Sequence, residues 1–187
     1  MASLDRPDEP HAAPSPWVER FAPLIRAKGT VLDLACGGGR HSRYLNALGY
    51  RLVAVDIDVS GLNDLLTNDG VEIIEADLEA DNWLFTGRHF DGIVVTNYLY
   101  RPHLPLLVES LAPGGVLIYE SFAKGNEKLG RPRNPAFLLD PSELLEAFGP
   151  QLTIVAYEHG IDKGPRPAVR QRICAARASK PPLLVPE

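Results

Sequence analysis

Short apolar runs alternate with amphipathic stretches along most of this chain. Val31–Leu34, Leu52–Val55, Val71–Ile74, Phe90–Val95 and Val116–Ser121 are brief and largely apolar, the pattern of parallel strands buried on both faces. Between them, apolar residues recur at helical spacing. Trp17, Phe21, Leu24 and Ile25 do so up to Gly29, with Trp17 as a core anchor. Tyr44, Leu45 and Leu48 follow Arg40, and Gly49 is placed to stop that helix. Leu62, Leu65 and Leu66 predict a further helix, and Leu107, Val108 and Leu111 predict another behind Pro102 and Pro105. Asp140-Pro141-Ser142-Glu143 reads as an N-cap, a proline at the first helical position and a capping glutamate, ahead of Leu144, Leu145 and Phe148. Asp81–Gly87 reads as short and irregular, anchored by Trp83 and Phe85. Leu152–Tyr157 and Val169–Ala175 predict an antiparallel hairpin turning around Gly160 and Gly164-Pro165. Strands alternating with helices imply right-handed parallel crossovers and an α/β domain over residues 17–178. The proline-rich ends, 1–16 and 179–187, are expected to be loose tails.

The first strand carries the chemistry. Val31-Leu32-Asp33-Leu34-Ala35-Cys36-Gly37-Gly38-Gly39-Arg40 is a strand, a glycine turn and a helix start. Such a turn brings backbone N–H groups close to a ligand, and the helix start adds unpaired donors. A hydride-transfer dinucleotide site would keep the strand apolar and continue G-x-G-x-x-G, but here Asp33 lies in the strand and Ser42 stands at the third glycine position. A carboxylate ahead of the turn suits an ammonium group. The second strand ends in Asp56, at the interval where an acid meets ribose hydroxyls. The third leads into Glu75-Ala76-Asp77-Leu78, where a carboxylate can accept from an adenine amine. Acids at three strand ends fit adenosine joined to an amino acid, which is S-adenosylmethionine.

From about Trp17 to Ala178 the chain resembles class I S-adenosylmethionine-dependent methyltransferases. The resemblance lies in D-L-A-C-G-G-G-R (33–40), V-A-V-D-I-D (53–58), A-D-L (76–78), F-D-G-I-V-V-T-N (90–97) and L-A-P-G-G-V-L-I-Y-E (111–120). It is similar in particular to the tellurite-resistance and thiopurine-type branch. One departure is Ala35, which stands where the family's loop most often has its first glycine, so a slightly tighter loop is expected. The resemblance implies a Rossmann-like, seven-stranded, mostly parallel sheet with helices on both faces and a C-terminal antiparallel hairpin. It also implies a cofactor site of Asp33, Ala35, Cys36, Gly37, Gly39, Arg40, Asp56, Ile57, Asp77, Leu78 and Asn97. The expected function is methyl transfer to a small molecule. The competing readings are a cofactor-binding regulator or interaction module without catalysis, and an NAD-dependent oxidoreductase, which Asp33 and Ser42 disfavour.

Composition narrows this further. The 187 residues suit one domain with a proper core. A net charge of −5 offers no basic field for nucleic acid, and the stretch after Asn97 lacks the paired prolines of amino-group DNA methylases. Cys36 and Cys174 have no metal-like spacing and read as free thiols, and no metal is expected. No run is long and apolar enough for a membrane span and no signal-peptide core is visible, so a cytoplasmic protein is expected.

The acceptor side is less marked. Asn97 ends the fourth strand, and Tyr98 and Tyr100 follow as candidate pocket walls, with Tyr100 a candidate for positioning the acceptor. In tellurite-resistance methyltransferases the hairpin places a histidine and arginines over the acceptor, which carries over to His159 and Arg166; the arginine that usually follows the histidine is Gly160 here. Lys124, Lys128, Arg131 and Arg133 cluster in the aperiodic stretch 122–139, and Lys163, Arg166, Arg170 and Arg172 in the hairpin. They suit a small anionic acceptor, with 122–139 as part of a lid. His41 reads as structural or solvent-facing.

Overall fold

Alternation along five apolar strands decides which layer each helix joins. The structure, a computed structural model, describes residues 12–80, 82–163 and 167–178. Its seven strands are β1 (Thr30–Leu34), β2 (Arg51–Asp56), β3 (Val71–Glu75), β4 (Phe90–Thr96), β5 (Leu111–Phe122), β6 (Thr153–Asp162) and β7 (Ala168–Ala176). They form one sheet in the order β3-β2-β1-β4-β5-β7-β6. β1 to β5 pair in parallel; β7 runs antiparallel to β5, and β6 antiparallel to β7. This is the Rossmann-like methyltransferase fold, with the antiparallel pair at one edge.

Successive residues of a strand face opposite layers. Leu32, Leu34, Val53, Val55, Ile93 and Val95 face one layer, which is completed by α3 (His103–Glu109) through Leu104, Leu107 and Val108, and by α4 (Glu143–Phe148) through Leu144 and Phe148. Val31, Leu52, Ala54, Val94, Val116 and Ile118 face the other. There they meet Trp17, Val18 and Phe21 of α1 (Pro16–Phe21), Leu45 of α2 (Arg40–Ala47), Leu62 and Leu65. Trp17 is a core anchor, and its indole N–H donates to the Ile173 carbonyl at 3.2 Å.

Several local expectations are corrected. The crossover after β2 is a 3₁₀ segment, Ser60–Leu65, rather than an α-helix, and Leu66 is 63% exposed. Gly61, Asn63 and Asp64 are poor helix formers, and few residues separate the strands. α2 turns His41, Ser42 and Leu45 inward, while Leu48 is 48% exposed. The apolar pattern misled here because the two buried polar side chains find partners across the chain. Leu111 begins β5 instead of ending α3. Gly160 lies inside β6, opposite Arg170, so the chain does not turn there, and Gly164-Pro165, the other part of the expected turn, lies outside the described residues. Helical structure begins one residue before Trp17, at Pro16, and Ser15 caps it, its hydroxyl accepting from the Trp17 N–H at 3.2 Å. The expected tails 1–11 and 179–187 lie outside the described residues.

The stretch after β5 is fastened at both shoulders. Ala123 bridges Leu139, and buried Asn126 accepts from the Val169 N–H and donates to the Pro132 carbonyl. Arg101 grips the far side, forking onto Glu143 and donating to the carbonyls of Ala136 and Leu138. Regular helix in α4 starts only at Glu143, after a left-handed Ser142, yet the Glu143 carboxylate still accepts the Asp140 N–H as a capping glutamate does.

Candidate active site

β1, β2 and β4 lie side by side, so their carboxyl ends bring Asp33, Asp56 and Asn97 to one edge of the sheet. Asp33 shares the face of Val31, the layer of α2, and is 1% exposed. Ser42, on the inward side of α2, donates its hydroxyl to Asp33 Oδ2 at 2.6 Å. Burial pushes the Asp33 carboxyl up to about 7, against the opposing pull of the Ser42 hydroxyl and the nearby Arg40 charge. Near neutral pH a buried carboxyl of this kind gains from a cationic partner.

The turn behind Asp33 is held in a left-handed course. Ala35 has φ 54°, Gly37 53° and Gly39 78°. An alanine there is strained, by about 1–2 kcal/mol on general grounds; the loop is strained where a merely tighter one was expected. Asp56, at 4% exposure, fastens the turn: its Oδ2 accepts the Gly37 N–H at 2.8 Å and its Oδ1 the Asp58 N–H at 3.2 Å. A carboxylate has about four acceptor positions, so two remain for a ligand's hydroxyls. The Cys36 N–H donates to the Val55 carbonyl, and its thiol is pushed far up by burial and by the charges of Asp33 and Asp56. It stays a thiol and is no nucleophile. Both cysteines are free and buried.

Gly38 differs from its neighbours. No positive φ demands a glycine there, and an added Cβ would meet nothing within 4 Å. The fold does not explain this glycine, whereas a ligand lying against the turn does. Gly38→Ala should therefore leave the melting temperature unchanged or slightly raised, since alanine limits the unfolded chain. It should weaken S-adenosylhomocysteine binding at least tenfold. Equal affinity in titration calorimetry would move the ligand off the turn.

The remaining expected residues divide. Ile57 is 40% exposed beside Asp56. Asp77 is exposed, its Oδ1 accepting the Glu79 N–H, and Leu78 is buried. Asn97 takes a left-handed φ of 55°, and its Oδ1 accepts from Arg170 on β7. The Arg170 guanidinium also lies 4.2 Å over the Phe122 ring. Tyr100 is half-buried, its ring edge-on to His103 at 4.8 Å. His159 lies level with the carboxyl ends of β4 and β5, through Gln171 and Ser121, but off to one side of Asn97. It is exposed on β6 opposite Gln171, three strand spacings from β4, or about 14 Å. Arg166 lies outside the described residues. The described hairpin arginines are engaged, Arg170 with Asn97 and Arg172 with Glu120 and Asp162.

Ser42, His41 and Thr96 lie at the candidate site without having been expected in it, and Arg170 had been expected only as one of a basic cluster suited to an anionic acceptor. Ser42 had a signal, its place at the third glycine position, although that position served only to exclude a dinucleotide. His41 is 1% exposed: its Nε2 accepts the Ser15 N–H at 3.1 Å, which puts the ring proton on Nδ1, 3.3 Å from Thr96 Oγ1. Burial, aided by the Arg40 charge, lowers its pKa to about 3, so it is a neutral strut. Among the described residues no cluster of His, Cys, Asp or Glu is placed to hold a metal.

A strand-end acid on each side of a left-handed glycine turn is the arrangement expected of a methyl-donor site, and comparison with known proteins agrees. The methyltransferase-domain family matches residues 8–138. The chain belongs to that family. No curated protein matches the sequence. Among solved structures it is similar to TehB from Haemophilus influenzae, at 21% identity and a TM-score of 0.70, covering 86% of this chain and 61% of that one. The chain thus spans less than two thirds of TehB. It is also similar to the N-methyltransferase NodS from Bradyrhizobium japonicum, at 18% identity and a TM-score of 0.65, covering 88% and 98% of the two chains. A third is the Burkholderia thailandensis 1,6-didemethyltoxoflavin-N1-methyltransferase, solved with its acceptor and S-adenosylhomocysteine (18% identity, TM-score 0.64, 87% and 76% covered). At these identities the likeness shows the fold.

Proposed function

We propose that this methyltransferase-family protein transfers the methyl group of S-adenosylmethionine to a small-molecule acceptor in the cytoplasm. The observation that carries the reading is the buried Asp33 carboxyl beside the glycine turn that Asp56 fastens. Asp33 would pair with the ammonium of the donor's amino-acid part, Asp56 would accept from its ribose hydroxyls, and Ile57 and Leu78 would flank the adenine, with Asp77 at its rim. The donor supplies an activated methyl group. The chain's share is to hold acceptor and methyl in line, which needs no general base unless the acceptor arrives protonated. Asn97, Arg170 and Tyr100 stand where the acceptor would enter. Arg172 bonds Glu120 and Asp162, and Lys124 pairs with Asp140, so acids of the chain already meet these charges. A small acceptor accords with the toxoflavin enzyme, and no helix among the described residues is long and apolar enough to cross a membrane.

S-adenosylhomocysteine should raise the melting temperature, as any ligand of the native state does, and NAD should not. The reverse result would return the dinucleotide reading. Asp56→Ala should weaken S-adenosylhomocysteine by about 1.5–3 kcal/mol, the range for charged hydrogen bonds. It should also lower the urea midpoint, because the Gly37 N–H loses its acceptor. Unchanged affinity would take Asp56 out of the ribose site.

A further inference from the structure

The glycine turn has a second brace besides Asp56. Arg43, in the middle of α2, sends its guanidinium to three groups at once. Nη1 donates to the Gly38 carbonyl at 2.5 Å, and Nη2 to the Gly61 carbonyl at 2.5 Å and Asp64 Oδ1 at 2.7 Å. Nε donates to Asp64 Oδ2 at 2.8 Å, completing a two-pronged grip on that carboxylate. Gly61 and Gly38 stand back to back, since a Cβ on Gly61 would come within 3.4 Å of the Gly38 Cα. One planar group thus spans the turn after β1 and the 3₁₀ segment after β2.

We infer that Arg43 is a positioning residue for cofactor binding, fixing the glycine turn in its binding shape; this rests on reading that turn as the donor's cradle. The peptide joining Gly38 to Gly39 is a rigid plane. Arg43 holds its carbonyl, and its N–H donates to the Cys36 carbonyl at 3.0 Å. Both glycines lack a Cβ and would otherwise sample many conformations. Pinning the plane removes that freedom before a ligand arrives, which favours binding without a direct contact. Stability alone does not account for the arrangement. Although the Arg43 side chain is 20% exposed, that of Asp64 is 55% exposed and the bonds to Gly61 and Asp64 lie at the surface, where such contacts contribute little to folding. Lysine cannot replace the arginine, because a point charge on a flexible stem reaches one of these acceptors but not all of them.

The test compares wild type, Arg43→Met and Arg43→Lys by titration with S-adenosylhomocysteine, by urea denaturation and by hydrogen exchange over residues 33–43. Arg43→Met should raise the dissociation constant about tenfold with a nearly unchanged urea midpoint, and Arg43→Lys should fall between it and wild type. Exchange at 36–39 should quicken in the ligand-free Met variant while the β1 amides stay protected, and saturating S-adenosylhomocysteine should restore it. Binding by the Met variant within twofold of wild type overturns the inference. So does a loss of affinity that accompanies a large drop in urea midpoint and uniformly faster exchange, which would mark a merely structural role. If wild type itself does not bind S-adenosylhomocysteine, the cofactor reading falls and takes the inference with it.

Discussion

Asp33→Asn should abolish measurable S-adenosylhomocysteine binding and at the same time make the ligand-free protein more stable at pH 8. In the ligand-free protein this carboxyl lies buried, with the Ser42 hydroxyl as its closest partner, and burial pushes its pKa to about 7. The unfolded chain releases that proton near the ordinary aspartate value of about 3.9. Between these values the folded protein holds a proton that the unfolded chain has lost, so the stability due to this group falls as pH rises from about 4 to 7. Above 7 the whole cost of a buried charge is present. Asparagine keeps the shape, accepts the same Ser42 hydroxyl and carries no charge, so its advantage is greatest at pH 8 and fades towards pH 4. Binding goes the other way. Taking one partner from a buried charge pair costs about 3–5 kcal/mol, more than a hundredfold in affinity. Melting curves at pH 4, 6 and 8 with and without S-adenosylhomocysteine read both effects. An Asn variant that binds within threefold of wild type would show that Asp33 does not meet the ammonium.

Arg172→Met should cost about 3–5 kcal/mol of folding stability. Glu120, at the carboxyl end of β5, is 4% exposed, and the Arg172 Nε donates to it at 2.9 Å. The same guanidinium bonds Asp162 and lies 3.6 Å from Glu158, so one cation serves three carboxylates. Methionine fills a similar volume but leaves Glu120 as a buried charge without its partner. Replacing both residues, Glu120→Met with Arg172→Met, should recover most of the loss, because buried pairs exchanged for apolar side chains are often neutral. Urea denaturation of the two single variants and the double variant measures the coupling. Additive losses would sink this account and mark Arg172 as a surface residue.

Much of the candidate site is visible as one-dimensional pattern. Parallel strands covered on both faces must be nearly all apolar, so an acid inside one, as Asp33 is, stands out along the chain. The glycines of the turn and the acid closing β2 are equally local, because the backbone close to a ligand needs those residue types at that spacing. Where a polar residue is buried by a partner far along the chain, the pattern fails. His41 and Ser42 look like an outward face of α2 until Asp33, Thr96 and Ser15 are folded onto them. Asn97 and Arg170 are 73 residues apart, and nothing near either one signals the contact.

The hairpin shows the same limit from the other side. Gly160 is a sound turn signal locally, yet pairing with β7 carries β6 on to Asp162 and leaves His159 on an exposed strand. The sequence by itself determined the strands, the glycine turn and the acids at the strand ends, because period-two burial and left-handed backbone are properties of neighbouring residues. Only the tertiary structure decided which face α2 buries, which arginine meets which acid, and that Arg43 braces the turn. Those choices depend on side chains brought together by sheet order, and a buried polar group is acceptable only where that order supplies its partner.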